Sequence, residues 1–128
     1  MTAFHAVRAG RAAAERLMTD SVKIVELSEQ VDPLTGEGLQ VLVYEGKAKL
    51  NAYASTGRTN EVISHTAVTQ MMMLHLPVGD YRPQVGHLVT FVQSHDPELI
   101  GLQYRVTESA PVKTFATAYR VAVEFKAA

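Results

Sequence analysis

At 128 residues the chain fits a single domain with a core of moderate size, and 47% hydrophobic against 20% charged residues is ordinary for a folded soluble protein. The 12 Lys and Arg residues nearly balance 13 Asp and Glu, giving a formal net charge of -1, so no basic excess draws nucleic acid or an anionic membrane. The absence of cysteine excludes disulfides, thiolate chemistry and cysteine-ligated zinc.

The N-terminus, M-T-A-F-H-A-V-R-A-G-R, lacks the apolar run of a secretory signal, and no segment has the length of a membrane-spanning helix. It reads as a protein made and working inside a cell, or in a particle assembled there. Residues Ala3 to Met18 are strong helix formers. Phe4, Val7, Ala14 and Leu17 recur at helical spacing, with Arg8, Arg11 and Glu15 opposite. The stripe is thin and rich in alanine, and Gly10 weakens the helix by about 1 kcal/mol. Such a helix either meets a partner surface or lies across one end of its own domain. The chain thus divides into an N-terminal helix, residues 1–20, and a β domain, residues 21–128.

Val22 to Leu27 reads as a strand, D-P-L-T-G-E-G as a turn, and Leu39 to Tyr44 as the returning strand of a hairpin. Gly46 punctuates, and K-A-K-L-N-A continues with Lys47 and Lys49 towards water and Ala48 and Leu50 inward. Tyr53, Ala54, Ser55, Thr56, Gly57, Arg58, Thr59, Asn60 and Glu61 form a polar stretch longer than a hairpin needs. It is either a functional loop or a solvated connector. Val62 to Leu76 and Leu88 to Gln93 then read as a central pair of strands joined by an excursion punctuated at Pro77, Gly79, Pro83 and Gly86. The first strand of that pair is apolar on both parities. This predicts a strand covered on both faces, the second by its own domain or by another subunit. S-H-D-P-E-L-I-G turns into a half-buried strand carrying Leu102, Tyr104 and Val106, and Phe115 to Lys126 alternates most cleanly of all. Six or seven short strands separated by turn signals predict a mainly β fold. It is a small antiparallel β-barrel with an N-terminal α-helix and a long inter-strand loop.

Chemistry is sparse. His5, His65, His75, His87 and His95 show no metal-ligand spacing, and ten residues of strand would set His65 and His75 about 33 Å apart. No serine sits in a nucleophile elbow, and the glycines lack the pattern of a phosphate loop. The acids Asp80, Asp96 and Glu98 lie in turns, where such residues cap backbone. Neither an enzyme active site nor a cofactor site is expected.

In order, the motifs R-L-M-T-D-S-V-K-I, V-D-P-L-T-G-E, V-Y-E-G-K-A-K-L, V-G-D-Y-R-P-Q-V-G-H-L-V-T-F and D-P-E-L-I-G-L-Q-Y-R-V-T-E-S span nearly the whole chain. Together they resemble the head-to-tail stopper, or head completion, proteins of long-tailed actinobacterial phages. The resemblance implies a virion protein of the head–tail interface, assembled in the host bacterial cytoplasm. It would form a homo-oligomeric ring beneath the portal–adaptor ring and above the tail terminator, enclosing packaged double-stranded DNA without reading its sequence and touching no membrane. By the same resemblance, a loop from each subunit reaches the channel axis, and here Tyr53 to Glu61 fits, with Arg58 near its tip. The turn Val78, Gly79, Asp80, Tyr81, Arg82 and Pro83 is the second choice for that role, or a contact for the tail or a neighbouring subunit. Phe4, Val7, Arg8 and Arg11 of the helix would meet the adaptor. The alternatives are the tail terminator, also a small β-rich ring, and a small-barrel ligand-binding module or enzyme with one concave polar pocket.

Overall fold

A computed structural model describes residues 2–31, 33–36, 38–55, 69–79 and 81–126. The elements are helix α1 (Ala3–Arg16) and strands β1 (Asp20–Val31), β2 (Gly38–Ser55), β3 (Thr69–Leu76), β4 (Leu88–Gln93), β5 (Gln103–Val106) and β6 (Tyr119–Phe125). The six strands close into an antiparallel barrel in the order β1-β2-β3-β6-β5-β4. Closure removes the sheet edges that an open sheet would expose.

Alternation along each strand decides what fills the barrel. Val22 lies opposite Phe91 and Ile24 opposite Val89 across β1 and β4, while Leu74 lies opposite Val121 and Leu76 opposite Tyr119 across β3 and β6. Apart from the largely buried Tyr119, these side chains are sealed from water and form one contiguous core with Ala48, Tyr104, Val106 and Val123. Each large aliphatic or aromatic side chain buried this way stabilises the fold by about 1.5–3 kcal/mol. Tyr104 meets Phe91 and Phe125 edge-on, with ring centroids 5.8 and 5.7 Å apart, the geometry that aromatic quadrupoles favour.

The long strand β2 is what lets the sheet close. It pairs with β1 through Ala48 and with β3 from Lys49 onward. Beyond the barrel, β1 and β2 continue alone as a distal ribbon. The partnership of β1 with β4 ends at Val25, and register shifts mark the ribbon's base between Ile24 and Val25.

Several expectations change here. The strands expected to form a central hairpin, β3 and β4, do not pair. β3 lies between β2 and β6, and β4 between β1 and β5, on opposite sides of the barrel. Gly46 does not interrupt β2; it lies under the Tyr44 ring, and a Cβ there would come within 2.9 Å of Tyr44 Oη. Tyr53, Ala54 and Ser55 are not loop: their backbones pair with Met71, Gln70 and Thr69. The last strand starts at Tyr119, and residues 114–118 form turns, so Phe115 is 58% exposed. Of the strand expected from Val62, Thr69–Leu76 is seen as β3, and residues 62–68 lie outside those described.

Helix α1 is capped by Thr2, whose Oγ1 accepts the His5 N–H at 3.3 Å. No helix residue is fully buried. The helix does not dock through the Phe4-to-Leu17 stripe, since Phe4 is 80% and Leu17 61% exposed. It docks through Gly10, where a Cβ would lie 2.8 Å from Thr117 Cγ2, and through Arg11, whose Nε donates to the Ala116 carbonyl at 3.0 Å. The glycine that costs helix propensity is what allows this close approach. Glu15 adds a part-exposed ion pair to Lys47 at 2.8 Å, worth under about 1 kcal/mol.

Candidate functional site

Val78, Gly79 and Tyr81 to Pro83 lie in the connection between β3 and β4. Pro83 is buried, and Val78 and Tyr81 pack against the core. Tyr81 stacks between Tyr44 and His87 at centroid distances of 5.4 and 5.8 Å, and its Oη lies 2.7 Å from His87 Nδ1. Burial, and then the Glu26 carboxylate, push the Tyr81 phenol well above its ordinary range, so it stays protonated and can donate to Nδ1 in the Nε2–H tautomer. Burial likewise raises the Tyr44 phenol, with Glu15 adding to it; Tyr44 Oη donates to the Lys47 carbonyl at 2.7 Å. Arg82 sits 4.5 Å from the centre of the Tyr119 ring and donates to the Ala110 carbonyl at 3.3 Å, and Tyr119 Oη donates to the Gly79 carbonyl. These groups are held by contacts within the chain. Gly79 is exposed, and Asp80 lies outside the described residues.

Of the stretch expected to reach a channel, Thr56, Gly57, Arg58, Thr59, Asn60 and Glu61 lie outside the described residues. β2 ends at Ser55 and β3 begins at Thr69, so these residues belong to the connection between the two strands.

The helix residues come together. Phe4, Val7, Arg8 and Arg11 line one hollow of about 330 Å³. Thr114 and Phe115 complete it, and both were missed because the alternation after Lys113 reads as strand. Two exposed aromatic rings beside two guanidinium groups make a surface of the composition found at protein contacts.

The distal ribbon was missed altogether as a site. Leu27 is 50%, Leu39 40%, Val41 50% and Leu42 53% exposed, and they occupy both faces of the ribbon. The signal was present in the run Val41-Leu42-Val43, apolar on consecutive residues where a hairpin with one wet face should alternate. Among the described residues no three of His, Asp and Glu converge as a metal-binding group, and no helix is long and apolar enough to cross a membrane.

No curated protein and no solved structure matches this chain. One family model does, over residues 10–124, which takes in the second half of α1, strands β1 to β5 and all of β6 but its last residue. The chain belongs to that family, described as a family of unknown function, DUF6093.

Proposed function

We propose that this protein is a structural subunit of a phage head–tail connector: a stopper that assembles as a ring, closes the DNA channel after packaging and docks the tail. The observation that carries this reading is the distal ribbon. Two strands alone are marginally stable in water, and among the described residues no third strand pairs with this ribbon, which holds Leu27, Leu39, Val41 and Leu42 in solvent. A neighbouring copy that adds its own surface would cover them, and a head-to-tail contact of this kind closes into a ring when the rotation permits. The hollow beneath Phe4 and Phe115 supplies a second, chemically different surface, suited to the adaptor ring. On this reading, and by the resemblance alone, residues 56–61 in the connection from β2 to β3 would reach the channel axis. A net charge of -1 fits a wall past which DNA slides, because each phosphate neutralised would add salt-dependent affinity.

The test is genetic and structural. A phage that encodes this chain, deprived of it, should yield heads that package DNA, carry no tails and lose their DNA on purification. Normal tailed particles would overturn the proposal, and tails of abnormal length would identify a tail terminator instead.

A further inference from the structure

The outer wall of the barrel holds a feature that the connector reading does not use. Register places Lys49 of β2 opposite His75 of β3, and His75 opposite Arg120 of β6. All three alternate with core residues, so they share the outward face. Neighbouring strands lie about 4.8 Å apart, which makes a row of three basic groups roughly 10 Å long. Each is half-buried. Among the described residues, the ion pairs are Lys47 with Glu15 and Arg105 with Glu124, and neither involves the row. Like charges directly opposite one another across strands are destabilising. The His75 imidazole registers this: burial first, then Arg120 and Lys49, hold it below its ordinary range.

At its Arg120 end the row opens into a hollow of about 270 Å³. Met73, Ala110, Ala118 and Ala122 give the hollow an apolar lining, and the three alanines are buried. Glu108 and Lys113 stand exposed at its rim. We propose that the row and the hollow form one groove that binds an anion: an oxyanion head, phosphate or carboxylate, held by Arg120, His75 and Lys49, with a small apolar body in the hollow. The planar guanidinium of Arg120 matches such a head in a way an ammonium does not. Glu108 and Lys113 offset each other at the far rim, so the positive charge of the groove is concentrated at its Arg120 end. A bound anion relieves the repulsion along the row, which gives the three cations a reason to stand side by side.

The experiment follows the His75 ring proton by NMR in the full chain while inorganic phosphate, acetate or butyrate replaces chloride at constant ionic strength. Saturable shifts are expected, with the His75 titration midpoint moving upward as anion binds. Butyrate should bind several-fold tighter than acetate if its propyl group uses the hollow, and phosphate tighter than both if charge dominates. Arg120→Gln or Lys49→Gln should each weaken binding about tenfold, the loss of one charge-assisted contact. Lys23→Gln, outside the row, should leave it unchanged. Because all three substituted side chains point outward, unchanged unfolding curves serve as the control for folding. No saturable shift up to tens of millimolar anion, or equal affinity in Arg120→Gln and the parent, overturns the proposal.

Discussion

The barrel interior and the distal ribbon are built from similar residues and put to opposite uses. Inside the barrel, leucine, valine and isoleucine face one another across closed strands and are shut off from water: Val22, Ile24, Leu74 and Val89 are 0% exposed. On the ribbon, further along β1 and on the part of β2 paired with it, Leu27, Val41 and Leu42 are half in solvent. The difference lies in the number of neighbours each strand has. Where β1 is flanked by β2 and β4, and β2 gives way to β3, the sheet curls and closes over its side chains. Where β1 and β2 have only each other, no second layer among the described residues receives theirs. A single subunit therefore finishes one half of its hydrophobic patterning and leaves the other half open.

Substitutions can break that comparison from either side. Phe91→Ala should have the largest effect. The ring is fully buried and touches Tyr104 edge-on, so its removal should cost about 3–5 kcal/mol in urea unfolding of the isolated chain, a large share of the about 5–15 kcal/mol that holds an ordinary domain together. Phe125→Ala, at the barrel mouth and 55% exposed, should cost a fraction of that. Equal losses at the two positions would mean that the mouth is covered in solution.

Gly46→Ala comes next. Alanine normally gains about 0.5–1 kcal/mol over glycine inside a strand. Here its Cβ would sit 2.9 Å from Tyr44 Oη and 3.1 Å from Cζ, so the ring must move off the Lys47 carbonyl and out of its stack on Tyr81. Overpacking of this kind costs about 1–3 kcal/mol and should win. A stabilised variant would show that the Tyr44–Tyr81–His87 column contributes little.

Tyr81→Phe probes the same column more gently. It leaves the ring in place but removes the hydroxyl 2.7 Å from His87 Nδ1, for a loss of about 1–2 kcal/mol. It also changes the alkaline limb of stability. A phenol whose folded value is raised contributes stability that is fully present below its unfolded value of 10.0 and is lost as pH rises above that value. Thermal unfolding of the parent should therefore decline above about pH 10, and less steeply in Tyr81→Phe, with Tyr44 and Tyr104 responsible for what remains. On the acid side His75, held low, contributes stability that is present above its unfolded value of 6.5 and lost as pH falls below it. His75→Gln should flatten that limb.

How far the sequence foretold all this depends on the kind of statement. Period-two alternation identified the strands and which residues face inward, because burial on one side imposes that period: Tyr104 and Val106, and Tyr119, Val121 and Val123, all lie in the core as their parity requires. Pairing was not legible. Alternation carries no information about which strand lies beside which, so a turn-rich excursion such as 77–87 looks like a hairpin loop whether it joins neighbours or, as here, strands on opposite sides of a barrel. Phe115 shows the same limit, since it continues the parity of β6 in the sequence while the chain there has already turned. The helix contact was legible as a set of residues, Phe4, Val7, Arg8 and Arg11, but not in its inner side, because Gly10 and Thr117 meet through an approach that no hydrophobic pattern encodes.

The smallest effect on folding should come from the ribbon, and it is the sharpest test of the comparison. Leu27→Ser and Leu42→Ser replace side chains already half in water, with Gln40 facing Leu27 and Val25 facing Leu42 across the ribbon. Changes at such positions shift stability by no more than about 0.5 kcal/mol. If the open side exists to receive a neighbouring copy, the double variant should unfold like the parent and yet fail to join the ring when added to connector particles lacking their own copy, as seen by sedimentation of the particles. A core substitution would do the reverse, lowering the amount of folded protein while every surviving molecule still assembles. A double variant that assembles normally would place the subunit contact elsewhere on the barrel. One that loses several kcal/mol would show that the ribbon is already covered within a single chain, and the two halves of the molecule would not differ in kind.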